Sequence, residues 1–231
     1  MIDIKGLSVE YDGAAILWDT TLRIPKGVLM AIVGPNGAGK STLMKAVLKL
    51  IPRLAGEVLI DGKEEIPPNK IAYIPQRSSI DWDFPVNVLE VVLMGRYGHA
   101  GFLRRMSEED REIALQALSR VKMHDFANRQ ISQLSGGQQQ RVFIARAIAQ
   151  NADIYFLDEP FAGIDVKSEE SIFAVFKELQ SEGKTLVVVH HDLNSLTKYF
   201  DHLLLLNRRV VAFGPIGEVF TPEKVTEAYR K

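Results

Sequence analysis

Two stretches near the start of the chain alternate apolar and polar positions, over residues 2–11 and 20–24. Such alternation predicts strands with one buried face. A short apolar run in GEVLIDGKEE then precedes the dipeptide Asp61-Gly62, which is a β-hairpin signal. We therefore predict an antiparallel sheet in the first third of the chain.

Five other apolar runs are continuous rather than alternating. Each is short enough for one strand, and continuous runs are typical of strands buried on both faces. They predict a parallel sheet flanked by helices. The runs are VLMAIVG, KIAYIP, DIYFLDEP, TLVVVHH and HLLLLN.

Helical signals dominate the region 86–150. Ser107 and Asp110 are spaced as a capping pair, and Ala114 and Leu118 follow at helical spacing. This region predicts a mostly helical insertion. Two more helices are expected, one over about 166–181 and one with Thr221 as its cap and Pro222 at its first position.

Composition is that of an ordinary globular protein. Of the 231 residues, 46% are hydrophobic and 25% charged, which is enough apolar material for a sizeable core. A net charge of −1 gives no indication of nucleic-acid binding, and the lack of cysteine excludes disulfides and thiolate metal sites. With no membrane-spanning run or signal peptide apparent, we expect a soluble intracellular protein that reaches a membrane only through a partner.

The segment GPNGAGKST, residues 34–42, matches the pattern G-x-x-x-x-G-K-[ST] between a predicted strand and a predicted helix. Glycines let backbone N–H groups turn inward around phosphates, and the helix N-terminus adds positive charge. The lysine would neutralise the terminal phosphates, and the serine would hold Mg²⁺. The alternative is a glycine-rich helix start without a ligand. The candidate nucleotide-binding residues are Gly34, Pro35, Asn36, Gly37, Ala38, Gly39, Lys40, Ser41 and Thr42.

A pair of carboxylates, Asp158 and Glu159, ends the apolar run DIYFLDEP. In an open α/β sheet this strand end is where ligands bind. Asp158 would hold Mg²⁺, and Glu159 would polarise an attacking water as general base. The alternative is a solvated pair at a strand end. Together with the phosphate motif, the pair predicts a nucleoside triphosphatase.

The segment LSGGQQQR, residues 134–141, is unusual because glycines are poor helix formers and glutamines bury badly. It matches the signature motif of the nucleotide-binding subunits of ATP-binding-cassette (ABC) transporters, and the chain resembles that family over essentially its whole length. The resemblance implies an α/β fold with a P-loop NTPase core, a mostly parallel sheet, an N-terminal antiparallel β subdomain and an inserted α-helical subdomain. It implies one ABC ATPase domain over 1–231, in which 1–85 and 151–231 form the core and 86–150 the insertion.

The resemblance also implies a head-to-tail homodimer with two composite ATP sites. The signature residues Ser135, Gly136, Gly137 and Gln138 would complete the ATP site of the other subunit. Ser135, Gly137 and Gln138 would contact its γ-phosphate region, and the helix N-terminus after Gly136 would point at that charge.

Further site residues follow from the same resemblance. Tyr11 would stack on adenine, and Gln76 would reach Mg²⁺ and the attacking water. His191 would be the switch histidine that contacts the γ-phosphate, with His190 a structural neighbour. Asp165 would belong to the loop that links the two sites. Read alone, Tyr11 is a packing residue and the histidines are surface residues or a metal site.

Membrane permease subunits are the implied partners, with an extracytoplasmic metal-binding protein as an indirect one. Trp82, Phe84, Val86 and Met94 are candidates for the floor of a groove that receives a short permease helix. The alternative is that these four side chains pack inside the helical insertion itself.

The motifs are most similar to those of importers for zinc, manganese or iron(II). Two alternatives stay open, an importer of another cargo such as an iron-siderophore or a cobalamin-type compound, and a non-transport ABC ATPase acting on DNA or ribosomes. Non-transport ABC ATPases usually carry paired cassettes, coiled-coil arms or basic tails, and the sequence shows no sign of these features.

Overall fold

The computed structural model describes residues 1–11, 13–67, 69–100 and 106–230. The strands are β1 (Ile2–Tyr11), β2 (Ala14–Ile24), β3 (Leu29–Val33), β4 (Ala55–Ile60), β5 (Ile71–Ile74), β6 (Ile154–Asp158), β7 (Thr185–Val189), β8 (His202–Asn207) and β9 (Arg209–Pro215). The helices are α1 (Lys40–Val47), α2 (Val88–Leu93), α3 (Tyr97–Ala100), α4 (Glu108–Arg120), α5 (Gly136–Gln150), α6 (Val166–Ser181), α7 (Leu196–Tyr199), α8 (Ile216–Val219) and α9 (Pro222–Tyr229).

The chain folds into two compact units. Unit 1 comprises Met1–Ile66 and Gly183–Lys231, and unit 2 comprises Pro67–Glu182. The helical insertion predicted over 86–150 falls within unit 2, and its boundaries stay a prediction. Residues 101–105 of that insertion lie outside the described residues.

The predicted antiparallel sheet forms in unit 1, where β1 pairs with β2 on one side and β4 on the other. After β4, Asp61 and Gly62 both have left-handed φ angles, 51° and 78°, and make a tight turn. The predicted hairpin ends there, since pairing stops at a single bridge from Ile60 to Lys63. Glu64, Glu65 and, after Ile66, Pro67 follow, and glutamate and proline are poor strand formers.

A second set of strands in unit 1 runs in the order β7-β3-β8-β9. The first three are parallel, and β9 returns antiparallel to β8. All residues of β3 and β7 are buried, as their continuous apolar runs predict. At the chain end, Thr221 accepts a hydrogen bond from the Lys224 backbone and Pro222 opens α9, so the predicted cap is confirmed.

Unit 2 pairs β5 with β6 in parallel and packs α2, α4 and α5 against one another. The predicted capping pair is confirmed, because Ser107 and Asp110 form a reciprocal capping box at the start of α4. Helix α6 anchors an aromatic cluster in which the rings of Phe161 and Phe173 stack with centroids 4.5 Å apart.

No helix in the described ranges is both long enough and apolar enough to cross a membrane.

Candidate functional site

The phosphate loop, residues 34–42, connects β3 to α1 in unit 1. Gly39 caps the helix with a left-handed φ of 93°, a conformation that side chains disfavour. At Gly34 an added Cβ would lie 2.0 Å from the Leu206 carbonyl oxygen, so only glycine fits beside β8. The sequence therefore folds here into a tight turn whose backbone runs directly into a helix N-terminus.

Lys40 is buried, with 7% of its surface exposed. Its ammonium group donates hydrogen bonds to the carbonyl oxygens of Gly34 at 2.9 Å and Pro35 at 3.0 Å. The side chain is thus folded across the loop that it serves. A cation held at a glycine-rich helix start, with Ser41 in the first helical turn, fits the phosphates of a nucleotide and an associated Mg²⁺.

A cavity of about 760 Å³ opens beside this loop, and Asn36 and Gly37 form part of its wall. Arg208, Arg209 and Arg230 line the same cavity. Arg208 is joined to the loop, because its backbone N–H donates to the Ala38 carbonyl at 2.9 Å. Three arginines along one wall favour the binding of anions such as phosphates.

Tyr11 ends β1 with 45% of its surface exposed, so its ring is available for stacking. The two histidines that follow β7 differ in environment. His190 is buried, its Nε2 lies 2.8 Å from the Ser195 hydroxyl, and burial lowers its pKa to about 4. His191 is exposed. A neutral, hydrogen-bonded His190 suits the structural role expected for it, whereas His191 lies at the surface.

The candidate metal and base residues lie at the end of β6 in unit 2. Asp158 is 1% exposed, and Glu159, the next residue, adopts a left-handed φ of 53°. The Gln76 side-chain amide donates to Glu159 Oε2 at 3.1 Å, so two of the predicted catalytic residues meet directly. Burial, followed by the charge of Asp158, raises the pKa of Tyr73 to about 12.

The signature segment, residues 134–141, forms the start of α5. Ser135 is the N-cap, its Oγ accepts from the Gln138 backbone at 3.4 Å, and Gln138 Oε1 accepts from the Ser135 backbone at 2.9 Å. Helix α5 thus begins at Gly136, despite the poor helix propensity of glycine.

The expectation that the glutamines of this segment would bury badly is wrong. Gln139 is 4% exposed and Gln140 is fully buried. Gln139 has hydrogen-bond partners for both ends of its amide, since it accepts from Arg77 and donates to the Ile131 carbonyl. The Gln140 amide has no hydrogen-bond partner in the described part of the chain.

Asp165 ends the loop 162–165 and caps α6. Its Oδ1 accepts from the Ser168 backbone at 3.0 Å. Hydrogen bonding with the Ser168 side chain, and after it with the Ser168 backbone, lowers the pKa of the Asp165 carboxyl group. The loop also approaches the signature segment, because a Cβ on Gly137 would lie 3.3 Å from the Gly163 carbonyl oxygen. As the N-cap of α6, Asp165 has a structural role in addition to the role proposed for it in the loop.

Comparison with known proteins identifies the family. The family model described as ABC transporter matches residues 17–162. The chain belongs to the ABC transporter family. As a member it binds ATP and hydrolyses it, through an α/β fold with a P-loop NTPase core.

Relatives of this ABC ATPase match nearly its whole length. It is 53% identical to the manganese transport system ATP-binding protein MntB of Bacillus subtilis, over 99% of this chain and 92% of that protein. It is 50% identical to the zinc transport system ATP-binding protein TroB of Treponema pallidum, over 99% of this chain and 86% of that protein.

Solved structures agree on the fold of the ABC ATPase. A dimeric ATP-binding cassette in a post-hydrolysis state with ADP and phosphate is 32% identical, with a TM-score of 0.80 over 94% of this chain and 99% of that one. A nucleotide-free cassette is 26% identical, with a TM-score of 0.87 over 100% of this chain and 99% of that one.

Sequence reasoning missed two residues of the ABC ATPase that support the site. Arg77 and Gln139 were not singled out, although they join the segment after Gln76 to the signature segment. No sequence motif marks the arginine that follows Gln76, and the sequence alone does not distinguish a buried glutamine from an exposed one. Only the packing reveals these two.

Proposed function

We propose that the chain is the ATP-hydrolysing subunit of an importer for a divalent transition metal, namely zinc, manganese or iron(II). The observation that carries this proposal is the 53% and 50% identity, across 99% of the chain, to ATP-binding proteins of manganese and zinc transport systems. The transported ion would not touch this chain, since selectivity would lie in the membrane subunits and the binding protein.

In this proposal the phosphate loop and Lys40 bind the triphosphate, and Tyr11 stacks on the adenine ring. Glu159 accepts a proton from the attacking water, and Gln76 orients both the water and Glu159. His191 contacts the γ-phosphate. The Gln76–Glu159 hydrogen bond supports these roles because it already positions the base.

Ser41, Asp158 and Gln76 are the residues that would hold Mg²⁺. The hard oxygen donors of hydroxyl, carboxylate and amide groups suit that ion. When bound, Mg²⁺ would neutralise charge on the phosphates.

Two copies of the chain would close head to tail over ATP. Ser135, Gly137 and Gln138 of one copy would then reach the γ-phosphate bound by the other, with the N-terminus of α5 directed at it. Ser135 is exposed at this helix start, as such a contact requires. The dimeric cassette with 32% identity supports this assembly.

The subunit would sit at the cytoplasmic face of the cell membrane, held there by multi-span permease subunits, with no nucleic-acid partner. Of the four groove candidates, Phe84 is 55% exposed and so open to a permease helix. Trp82 instead packs its ring against Phe143 at 5.0 Å within unit 2. Val86 and Met94 are half-buried.

Transport by the assembled complex tests the cargo. The subunit, its permease and its binding protein are reconstituted in vesicles, and ATP-dependent uptake is measured for manganese, zinc and iron(II) in competition. We expect uptake of one of these ions and its loss when the subunit carries Glu159→Gln. ATP-dependent uptake of a siderophore or corrinoid without free-ion uptake would reassign the cargo and refute the metal proposal.

A further inference from the structure

Arg77 lies between two functional segments of unit 2. It directly follows Gln76 in a 3-10 turn spanning Arg77–Ser79. Its Nη2 donates to Gln139 Oε1 at 3.0 Å, and its guanidinium carbon lies 5.6 Å from the centre of the Trp82 ring. The Trp82 indole N–H in turn donates to the Arg77 carbonyl oxygen at 3.0 Å. Both the backbone and the side chain of Arg77 are therefore held in place.

The guanidinium group also rests against the first turn of α5. A Cβ added to Gly136 would lie 3.0 Å from Arg77 Cζ and Nη2, closer than real Cβ atoms normally approach. The guanidinium of Arg77 thus occupies space that a side chain at position 136 would fill. Gln139 extends the contact, because its amide nitrogen donates to the Ile131 carbonyl at 3.1 Å, just before the signature segment.

From these contacts we propose that Arg77 is a positioning residue that fastens the signature segment to Gln76 and, through Gln76, to the general base Glu159. The connection runs from Glu159 through the Gln76 amide, along one peptide bond to Arg77, and through its guanidinium to Gly136 and Gln139. The inference rests on the proposed function, which makes Glu159 the base and Ser135 a contact to the other copy's nucleotide.

Removal of the guanidinium has two physical consequences. The Gln139 carbonyl oxygen, in a side chain that is 4% exposed, loses the donor that Arg77 supplies. A gap also opens beside Gly136, so the first turn of α5 can shift relative to Gln76. A misplacement of about 1 Å can lower the rate of a positioned reaction by about 10²-fold.

The test compares Arg77→Met, which keeps the length of the side chain, with wild type in an ATPase assay. We expect kcat to fall about tenfold or more, the scale of a lost positioning contact. The affinity of the single subunit for a fluorescent ATP analogue should change little, since Lys40 and the phosphate loop are intact. Arg129→Met is the matched control, because the exposed Arg129 also lies over an aromatic ring, that of Phe126 at 4.8 Å. Within the described residues no hydrogen bond joins the Arg129 side chain to the signature segment.

A double variant separates positioning from stability. Gln139→Met in the Arg77→Met background removes both partners of the Arg77–Gln139 hydrogen bond, so no Gln139 oxygen is left buried without the donor that Arg77 supplied. The Ile131 carbonyl loses its Gln139 donor as well, so we expect thermal stability to recover in part. If Arg77 positions the signature segment, kcat stays low while thermal stability recovers.

Two results would overturn the inference. One is recovery of kcat together with stability in the double variant, and the other is an Arg77→Met enzyme as active as Arg129→Met. Wild type that hydrolyses no ATP would instead refute the proposed function, and this inference with it.

Discussion

At the scale of single residues, neighbouring groups differ because their surroundings differ. Asp158 and Glu159 are adjacent in sequence, yet Asp158 is 1% exposed while Glu159 turns away in a left-handed conformation and receives the Gln76 amide. In the proposed function the buried carboxylate would hold the cation, and the one with a fixed donor would accept the proton. This division supports the two roles given to the pair.

Glu159→Gln removes the proton acceptor but keeps an oxygen that can accept from Gln76. We expect ATP binding to remain and turnover to fall by about 10²-fold or more, the size of effect expected for a lost general base. Phosphate release under saturating ATP measures it. Turnover close to that of wild type would exclude Glu159 as the base.

His190 should make stability depend on pH. Burial lowers its folded-state pKa to about 4, against about 6.5 in the unfolded chain, with the charge of Asp192 opposing the shift. Between these values the unfolded chain binds a proton that the folded chain rejects, so the stabilisation is complete above about pH 6.5 and is lost as pH falls towards 4.

We therefore expect the free energy of unfolding to drop by about 2 kcal/mol from about pH 7.5 to about pH 5, from this group alone. Urea denaturation of wild type and His190→Gln at both pH values measures it, and the drop should shrink in the variant. His191→Gln removes a charge that contributes less to the lowered pKa of His190 than burial does, so it should shrink the drop less than His190→Gln does. Equal pH dependence in wild type and His190→Gln would contradict the assignment.

At the scale of elements, one local device serves two purposes. Helices α4 and α5 both begin with a serine in a reciprocal capping box, Ser107 with Asp110 and Ser135 with Gln138. The box of α4 contains a carboxylate, while that of α5 contains a neutral amide and leaves no negative charge at the helix start. A neutral cap is what a helix needs if its N-terminus is to meet a phosphate.

Ser135→Ala and Ser107→Ala form a matched pair of cap deletions. Each should cost about 1 kcal/mol of stability, the usual effect of removing an N-cap. Only Ser135→Ala should also weaken ATP-dependent dimerisation, while ATP binding by the single subunit stays nearly unchanged. Thermal unfolding and light scattering measure the two effects. Equal dimerisation in both variants would show that Ser135 acts only as a helix cap and would contradict its contact with the other copy's nucleotide.

At the scale of the whole molecule, the proposed dimer depends on ATP that is bound but not hydrolysed. Glu159→Gln should therefore accumulate as a dimer when ATP and Mg²⁺ are added and return to monomer when they are removed. Gel filtration with nucleotide in the buffer measures it. A variant that elutes as a monomer with saturating ATP would contradict a closed state held together by nucleotide.

The sequence predicted those parts of the fold that depend on local pattern. The continuous apolar runs predicted the buried strands β3 and β7, and Ser107, Thr221 and Pro222 marked helix starts correctly. Each of these signals acts within a few residues, so neighbouring chain segments do not alter it.

Features that depend on distant contacts were not predicted. Gln139 is buried with a partner for each end of its amide, and one of these partners, Arg77, lies 62 positions away. Lys40 folds onto the carbonyls of its own loop, and Gly34 is needed because β8 passes beside it. The turn at Asp61 was predicted correctly, but the second strand of the hairpin did not form beyond the single bridge from Ile60 to Lys63. A turn signal cannot extend a strand through glutamates and proline.

The left-handed backbone of Glu159 has a consequence for how the protein can change over generations. A residue other than glycine in that conformation costs about 1–2 kcal/mol. In a library screened only for resistance to heat, glycine at position 159 should be enriched, whereas a screen for growth on scarce nutrient should eliminate it. The same position would thus be improved by one selection and destroyed by the other, so thermostable descendants of this chain would have to gain their stability elsewhere.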